Sequence, residues 1–324
     1  MTRDRADHRK SLTHRESARV GSIRKGMLLR SVTISLLLSF LVLVGCTAKT
    51  ADATSETPAE TAGTPSVAVT PGQAIPREPI DTRNVELTRA YIEGGADINA
   101  ASDAGVPPLM IAIAMRSTAV VDLLLEKGAD VNRASAAGET PLISCVILND
   151  LNLGKRLVER GADLGAEAKG GRTAMGMAAH MGYDDWVSFL LDQGVDVNAV
   201  NQQGATALHR ACSERRASTV ELLLQRGAAA DIADMQNRSP LTEAANAGSV
   251  ECVRLLLAQG AEINRPTKHY GETPLIIATK SGRAEVVKLL LEHGADRTAK
   301  DRNGRTARDS ARASKDATLE VLLE

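Results

Sequence analysis

Residues 271–296 read GETPLIIATKSGRAEVVKLLLEHGAD, and this stretch decides the fold. Thr273 can cap a helix that has Pro274 in its first turn, where the missing amide proton of proline does no harm. We expect Gly282 to end this first helix and Gly294 to end a second, apolar helix in a left-handed conformation. A helix pair this short cannot bury its own apolar side, so it must stack against neighbouring pairs.

The same pattern recurs along the chain with a period of 33 or 34 residues. The glycine that closes the second helix recurs at Gly95, Gly128, Gly161, Gly194, Gly227, Gly260 and Gly294. The turn before the first helix recurs at Gly105, Gly138, Gly171, Gly204, Asn237, Gly271 and Gly304. Because two separate series keep one period, the chain from about residue 81 onward is predicted to be a repeat protein.

The motifs of these units resemble those of ankyrin repeat proteins. The T-P-L-H-x-A box of that family has counterparts at residues 140–142, 206–211, 239–241 and 273–275, and its G-A-D-V-N tail has counterparts at residues 128–132 and 194–198. The resemblance covers residues 81–324. It implies an all-α repeat fold, a solenoid of helix–loop–helix units with β-hairpin fingers. We expect an N-terminal half cap, about six full repeats and a C-terminal cap.

Two recurring residue types bear on how the units hold together. The box histidine remains only at His209; in the family it hydrogen-bonds adjacent repeats, so aliphatic packing must replace that link elsewhere. Acidic residues recur with the period at Asp130, Asp163, Asp196 and Asp296. Their recurrence identifies them as structural turn residues and not as catalytic carboxylates.

The first 45 residues have the layout of a secretory signal. A basic stretch precedes the apolar run SVTISLLLSFLVLV at residues 31–44, which is shorter than the roughly 20 residues that a spanning helix needs. We interpret residues 1–45 as an N-terminal extension and lipoprotein signal peptide. A compact signal would begin at Met27, which we suggest as the true start.

Residues 43–46 read LVGC and resemble a bacterial lipobox. The resemblance implies that the chain is cut before Cys46 and that Cys46 is acylated; the alternative is an ordinary cysteine in an uncleaved anchor. Two or more acyl chains would give stable membrane attachment. Thr47, in place of the aspartate of retained lipoproteins, implies the outer membrane, facing the periplasm.

Residues 46–80 are rich in Thr, Ala, Pro and Glu and have no apolar period. Such a segment cannot bury enough surface to offset the entropy of ordering it. We therefore predict a disordered tether over 46–80, which joins the lipid-anchored cysteine to the repeat domain at 81–324.

Composition excludes several classes of function. The chain has 1 Trp, 3 Tyr and 2 Phe and a formal net charge of −1, so it has neither the exposed rings nor the basic surface of a nucleic-acid-binding protein. The histidines are dispersed, and no catalytic or phosphate-binding motif is evident. We expect no enzyme activity, no cofactor, no metal site and no nucleic-acid partner, and a monomeric chain.

Three cysteines fall within the repeats, at Cys145, Cys212 and Cys252. Each occupies a small-residue packing position, so we expect buried, unreactive thiols. Cys145 and Cys212 are two units apart, too far for a disulfide. Cys212 and Cys252 lie in adjacent units but on different helices.

The candidate partner-binding residues are those that vary between units. They lie on the exposed side of the first helices and at the finger tips, which together form the concave face of the family. Their positions are Ile111, Met115, Leu148, Met177, Met181, Gln202, Gln203, Arg210, His269 and Tyr270. Two alternatives remain open: part of the apolar set faces the core, and the tips vary by neutral drift.

These features favour a non-enzymatic scaffold or adaptor, anchored by lipid in the bacterial cell envelope, that binds another protein. An immunity protein that neutralises a toxin fits the same residues. The alternatives from other classes are an enzyme-accessory or peroxide-related stress-defence protein of the periplasm, and a secreted effector.

Overall fold

The structure is a computed structural model, and it describes residues 68–324. Within this range, sixteen helices form eight consecutive pairs. The first helices of the pairs are α1 (Arg77–Asp81), α3 (Pro108–Ala114), α5 (Pro141–Ile147), α7 (Ala174–Met181), α9 (Ala207–Ser213), α11 (Pro240–Ala247), α13 (Pro274–Lys280) and α15 (Ala307–Ser314). The second helices are α2 (Val85–Glu93), α4 (Thr118–Glu126), α6 (Leu151–Glu159), α8 (Asp184–Asp192), α10 (Ala217–Gln225), α12 (Val250–Ala258), α14 (Ala284–Glu292) and α16 (Ala317–Leu322).

The pairs α3–α4 to α13–α14 are called units one to six, and the pairs α1–α2 and α15–α16 are the caps. Each first helix packs against the first helix of the next pair along the chain. The predicted all-α solenoid of helix–loop–helix units is therefore confirmed.

Local sequence explains where the first helices begin. The Thr140 side chain accepts a hydrogen bond from the Ile143 amide at the start of α5, and Thr273 does the same for Ile276 at the start of α13. Pro141 occupies the first turn of α5, where no intrahelical donor is lost. The predicted capping by the box threonine is thus seen in both units.

The leucine of each box is the centre of the core. Leu142, Leu208, Leu241 and Leu275 are each 1% exposed or less. Stacking removes these side chains from water on both sides of each unit, whereas an isolated pair would leave them half exposed. The stability of each unit therefore depends on its neighbours.

The fingers contain less strand than the resemblance implied. In the described part of the chain, β1 (Glu167–Ala168) and β2 (Arg172–Thr173) form the one two-stranded sheet, which is antiparallel with Glu167 opposite Thr173. The remaining fingers are tight turns, closed by bonds such as that from Asn201 N to Ala205 O at 3.0 Å. Adjacent fingers also bond through the backbone: Met235 N donates to Gln203 O at 3.0 Å.

The turns between units form a hydrogen-bonded ladder. Asn132 Oδ1 accepts from the Asp163 amide at 2.8 Å, and Asn264 Oδ1 accepts from the Asp296 amide at 2.9 Å. In the turns that carry the recurring aspartate, its side chain accepts from the amide two residues further on, as Asp130 does from Asn132. These bonds show the recurring aspartates in a structural role.

The repeat domain begins earlier than the predicted boundary at residue 81. Residues 77–80 belong to α1, and Ile75 and Ile80, at 2% and 0% exposed, are buried. Ala74 also forms a β-bridge with Asp97. This end of the predicted tether at 46–80 is therefore part of the domain, because its isoleucines are removed from water and its backbone pairs with the first turn between units.

The predicted signal peptide with its start at Met27, the lipid-bearing Cys46 and the tether up to residue 67 lie outside the described residues. Among residues 68–324, no helix has the length and apolar character needed to cross a membrane.

Candidate partner-binding surface

A cleft of about 330 Å³ lies between the fingers and the first helices of units four and five. Gln203 and Asp234 reach it from the fingers, and His209, Arg210 and Ser213 reach it from α9. Arg238 and Glu243 complete its lining. The cleft therefore joins the two regions in which the units differ most, the finger tips and the exposed side of the first helices.

The charges on one side of the cleft are mutually satisfied. The Arg238 guanidinium lies 2.6 Å from Asp234 and 3.0 Å from Glu243. Burial disfavours the charge of Arg238, but these two carboxylates raise its pKa overall. Burial likewise raises the pKa of Glu243, against the opposing effect of Arg238. This group of three is a structural anchor for the finger of unit five.

A second satisfied cluster lies further along, in unit six and the C-terminal cap. Lys280 forms ion pairs with Glu272 and, at 3.4 Å, with Asp301. Burial alone would raise the pKa of Asp301, but hydrogen bonds from the Arg305 backbone and side chain hold it at about 2. Asp301 is thus ionised at any physiological pH and fixes the last finger.

Arg210 differs from these paired cations. Its side chain is half-buried and lines the cleft, yet within residues 68–324 it forms no ion pair. It acts electrostatically on His180, His209 and Glu243 without bonding to them. An unpaired guanidinium in a cleft favours an incoming carboxylate, because little further desolvation is needed to form the pair.

His209 links two units and keeps one tautomer. Its Nδ1 accepts from the Thr206 amide at 3.1 Å, so the proton resides on Nε2, which lies 3.0 Å from the Arg238 carbonyl oxygen and donates to it. This link joins α9 to the finger of unit five, as the resemblance implied for the box histidine. Burial lowers the pKa of His209, and the neutral ring is the form that makes both bonds.

Three successive finger regions present a large apolar side chain to solvent. Val200, Met235 and Tyr270 are 57%, 61% and 64% exposed, in the fingers that precede units four, five and six. The predicted tip residues Gln202, Gln203, His269 and Tyr270 are all exposed as well. Single exposed apolar residues are ordinary, but exposed apolar residues in three consecutive fingers are typical of a protein-binding surface. We call these three residues the apolar row.

A family model for ankyrin repeats matches residues 80–168, 149–234, 227–301 and 244–324. These matches together cover most of the chain. The chain belongs to the ankyrin repeat family. Ankyrin repeats typically mediate binding to other proteins and are generally not enzymes. No curated protein matches the chain.

Two of the predicted partner-binding residues belong to the core of the ankyrin stack. Ile111 and Met177 are each 5% exposed, so their assignment to the exposed side of the first helices was wrong. In an ankyrin unit the first helix packs against the first helices before and after it and against its own second helix. Only a narrow strip of it reaches solvent, and α3 and α7 turn these two residues away from that strip.

The other apolar candidates lie at the ends of the first helices. Met115 and Leu148 are the C-cap residues of α3 and α5, and Met181 is the last residue of α7. All three are half-buried. They remain candidates. Each exposes only part of its side chain to solvent, so the three do not form a continuous apolar surface.

Sequence reasoning did not select two residues of the row, Val200 and Met235. One exposed apolar residue in a finger carries little information by itself. The signal that would have found them is the shared apolar character of Val200, Met235 and Tyr270 in consecutive fingers.

Among residues 68–324, no group of three or more His, Cys, Asp or Glu side chains lies close enough together to hold a metal ion. The cysteines predicted to be buried are buried: Cys145, Cys212 and Cys252 are each 0% exposed.

The two buried histidines, His209 and His180, predict how the stability of the protein depends on pH. The pKa values of His209 and His180 are lowered mainly by burial, so the unfolded chain, with histidine pKa near 6.5, binds more protons than the folded chain in mild acid. We expect the free energy of unfolding to fall as the pH drops from 7 towards 5, by up to about 1.4 kcal/mol per pH unit for each histidine. Urea unfolding followed by circular dichroism measures this slope.

The control for that measurement is His269, which is exposed at a finger tip. His209→Asn should flatten the pH dependence, and His269→Asn should leave it as in the unmodified protein. A slope that is unchanged in His209→Asn would contradict the assignment of the neutral, hydrogen-bonded ring.

Proposed function

We propose that this ankyrin repeat protein is a non-enzymatic scaffold of the bacterial cell envelope, anchored by lipid on Cys46, that binds another protein through its concave face. The partner engages the cleft and the adjacent finger tips. The observation that carries the proposal is that three consecutive fingers expose Val200, Met235 and Tyr270, while Arg210 lines the cleft without an ion-pair partner among residues 68–324.

The row supplies the apolar part of an interface. Side chains that are more than half exposed gain free energy when a partner covers them, at about 25 cal/mol for each Å² removed from water. Tyr270 adds a hydroxyl group, and tyrosine is enriched among the residues that dominate binding energy. The backbone bond from Met235 to Gln203 holds neighbouring fingers together, so the row is presented on a preorganised support.

Arg210 supplies specificity. Of the two arginines that line the cleft, Arg238 is paired with Asp234 and Glu243. The Arg210 guanidinium has no partner of opposite charge among the described residues. A partner that carries a carboxylate near an apolar segment satisfies both parts of the surface at once.

Anchoring rests on the sequence alone. The basic stretch, the short apolar run and the LVGC box at residues 43–46 agree with one another. A lipid-bearing Cys46 at the start of the tether would hold the stack at the membrane while leaving the concave face free to meet its partner.

One experiment tests both parts of the proposal. The unmodified protein and Cys46→Ala are produced in a bacterium with two membranes, with a photo-crosslinking residue in place of Tyr270 or, as the matched control in the same unit, of the exposed Lys288. We expect incorporation of labelled palmitate and recovery with the envelope for the unmodified protein only. A discrete crosslinked product is expected from position 270 and not from position 288.

The two parts can fail separately. Acyl label that persists in Cys46→Ala would overturn the anchor. Equal crosslinking from positions 270 and 288 would overturn the concave-face assignment.

Substitutions then measure the contribution of each part of the surface once the crosslinked partner is identified. We expect Tyr270→Ala and Arg210→Glu each to weaken binding by about tenfold or more, because each removes a central contact. Lys288→Glu, on the opposite surface of unit six, should bind as the unmodified protein does. Unchanged affinity in both concave-face variants would contradict the proposal.

A further inference from the structure

Two glycines at unit three stand where other units have side chains. Gly176 is the fourth residue of the box in α7. The equivalent residues of the other five units are all buried, namely Met110, Ile143, His209, Thr242 and Ile276. Gly165 lies in the turn before the finger of unit three, at the position that Asn132 and Asn198 occupy in the hydrogen-bonded ladder.

Neither glycine is needed for the backbone. Neither residue adopts the left-handed conformation that favours glycine. A Cβ atom on Gly165 would lie 3.5 Å from Asp163 Oδ1, which is an ordinary contact. A Cβ atom on Gly176 would lie 3.1 Å from the Thr173 hydroxyl oxygen and 3.9 Å from Cγ of Arg210, so the hydroxyl contact is the only tight one.

The tight contact at Gly176 can relax. The cap hydroxyl lies 3.0 Å from the Gly176 amide nitrogen, but in the two units with isoleucine at this position the distance is 3.3 Å at Ile143 and 3.4 Å at Ile276. In those units the hydroxyl sits farther from the helix and leaves space for the side chain. Since glycine within a helix also weakens it relative to alanine, folding does not account for Gly176.

The two glycines line a cavity of about 100 Å³ beneath the fingers of units three and four. Its apolar walls are Leu164, Met175, Val195 and Val200. Val200 belongs to the apolar row, so the cavity adjoins the proposed interface. The volume is smaller than the roughly 150 Å³ cavity that holds benzene and well below the roughly 300 Å³ of the smallest drug-sized sites, so it suits one aliphatic side chain.

Arg210 lines both this cavity and the larger cleft between units four and five. It is half-buried and forms no ion pair within residues 68–324. Glu167 also lines the cavity, but its carboxylate oxygens accept from the Gln202 amide at 3.0 and 3.2 Å. A carboxylate that arrives with an aliphatic side chain therefore has the Arg210 guanidinium as its partner, and the two can form a charge-assisted pair.

We propose that the cavity and Arg210 form one subsite for an extended segment of the partner. The segment places an aliphatic side chain in the cavity and a neighbouring carboxylate on the Arg210 guanidinium. The inference rests on the proposed function, because the segment belongs to the protein that the concave face binds. Both groups gain from binding, since the aliphatic side chain leaves water and the carboxylate meets a guanidinium that is already half-buried.

The test selects peptides from a random library displayed on phage, with the full chain immobilised in mild detergent. For the unmodified protein we expect peptides in which Val, Leu or Ile lies within two residues of Asp or Glu. Gly176→Ile, which fills the cavity, should keep the acidic preference and lose the aliphatic one. Arg210→Gln should do the reverse. Met110→Ile, at the equivalent position of unit one, is the matched control and should select the same peptides as the unmodified protein.

A synthetic peptide of the selected sequence measures the effect by fluorescence anisotropy. We expect Gly176→Ile and Arg210→Gln each to weaken its binding about tenfold or more. Thermal unfolding shows that Gly176→Ile remains folded: the midpoint should rise by roughly 2–4 °C, because isoleucine is a better helix former than glycine and buries apolar surface. A midpoint below that of the unmodified protein would show that the space is not there and would overturn the subsite.

The subsite is also overturned by selected peptides that lack the aliphatic–acidic pair, by the same pair selected with Gly176→Ile, or by no selected peptide. These results are separate from the crosslinking experiment. A crosslinked partner at position 270 without the aliphatic–acidic preference would leave the scaffold function and remove the subsite. The preference together with equal crosslinking from positions 270 and 288 would leave the subsite and remove the concave-face assignment.

Discussion

Replacement of Trp186 by alanine should lower the free energy of unfolding by about 3–5 kcal/mol. Trp186 is the one tryptophan of the chain, it is 0% exposed, and its ring fills the space between α8 and α6 of the preceding unit. Its edge meets Phe189 with ring centroids 6.2 Å apart. Removal leaves a cavity that two short helices cannot close without losing their own contacts. Urea unfolding followed by circular dichroism gives the value.

A milder substitution separates packing from hydrogen bonding. The indole Nε1 of Trp186 is buried and has no hydrogen-bond partner in residues 68–324. Trp186→Phe therefore loses ring volume but no hydrogen bond, and it should cost clearly less than Trp186→Ala. Equal losses in the two variants would show that the ring does not fill the space that the structure assigns to it.

Gly154 is the other half of this contact. A Cβ atom on Gly154 would lie 2.8 Å from Cζ3 and 3.0 Å from Cζ2 of Trp186, and closer still to Cη2. Elsewhere in a helix, glycine to alanine stabilises by roughly 0.5–1 kcal/mol, but here the overlap forces the ring to move, so Gly154→Ala is expected to destabilise. In the Trp186→Ala background the same change should become neutral or stabilising, which a double-mutant cycle measures.

Met177→Glu should lower the free energy of unfolding by about 3 kcal/mol or more, whereas Met115→Glu should have a much smaller effect. Met177 is 5% exposed, so a carboxylate at that position must either remain unsolvated, take up a proton or force α7 open. Met115 is half-buried at the C-cap of α3, where a carboxylate can reach water. Thermal unfolding of the two variants provides the comparison.

The pair of variants also separates core from surface. If Met177→Glu folds with the stability of the unmodified protein and instead loses partner binding, Met177 belongs to the binding surface and its burial in α7 is contradicted. Loss of stability in Met115→Glu equal to that in Met177→Glu would contradict the placement of Met115 at the surface.

The repeat fold was predictable because its determinants are local and recur. A capping threonine, a proline in the first turn and a glycine at the end of the second helix act within one unit. The glycine recurs seven times in register, the threonine five times and the proline four times. The turn aspartates were likewise predictable, because an Asx turn involves residues only two positions apart.

The residues of the concave face were harder to predict, because exposure depends on the angle at which a helix meets three neighbours. Ile111 and Met177 occupy equivalent positions of their units, two repeats apart, and only the packing of α3 and α7 shows that they point inward. The contact between Gly154 and Trp186 joins residues 32 positions apart. No sequence motif identifies such a contact, because it depends on how one unit packs against the next.

The stacking of first helices in chain order also bears on how this protein changes length over evolutionary time. Since each first helix packs against the ones directly before and after it, duplication or excision of a 33-residue segment adds or removes one layer and leaves the other layers in place. Units two and three are the exception, because the Trp186 ring of unit three packs against Gly154 of unit two, where a larger residue would overlap with it. Gene rearrangements should therefore preserve those two layers together, while the remainder of the stack can be lengthened or shortened to suit a new partner.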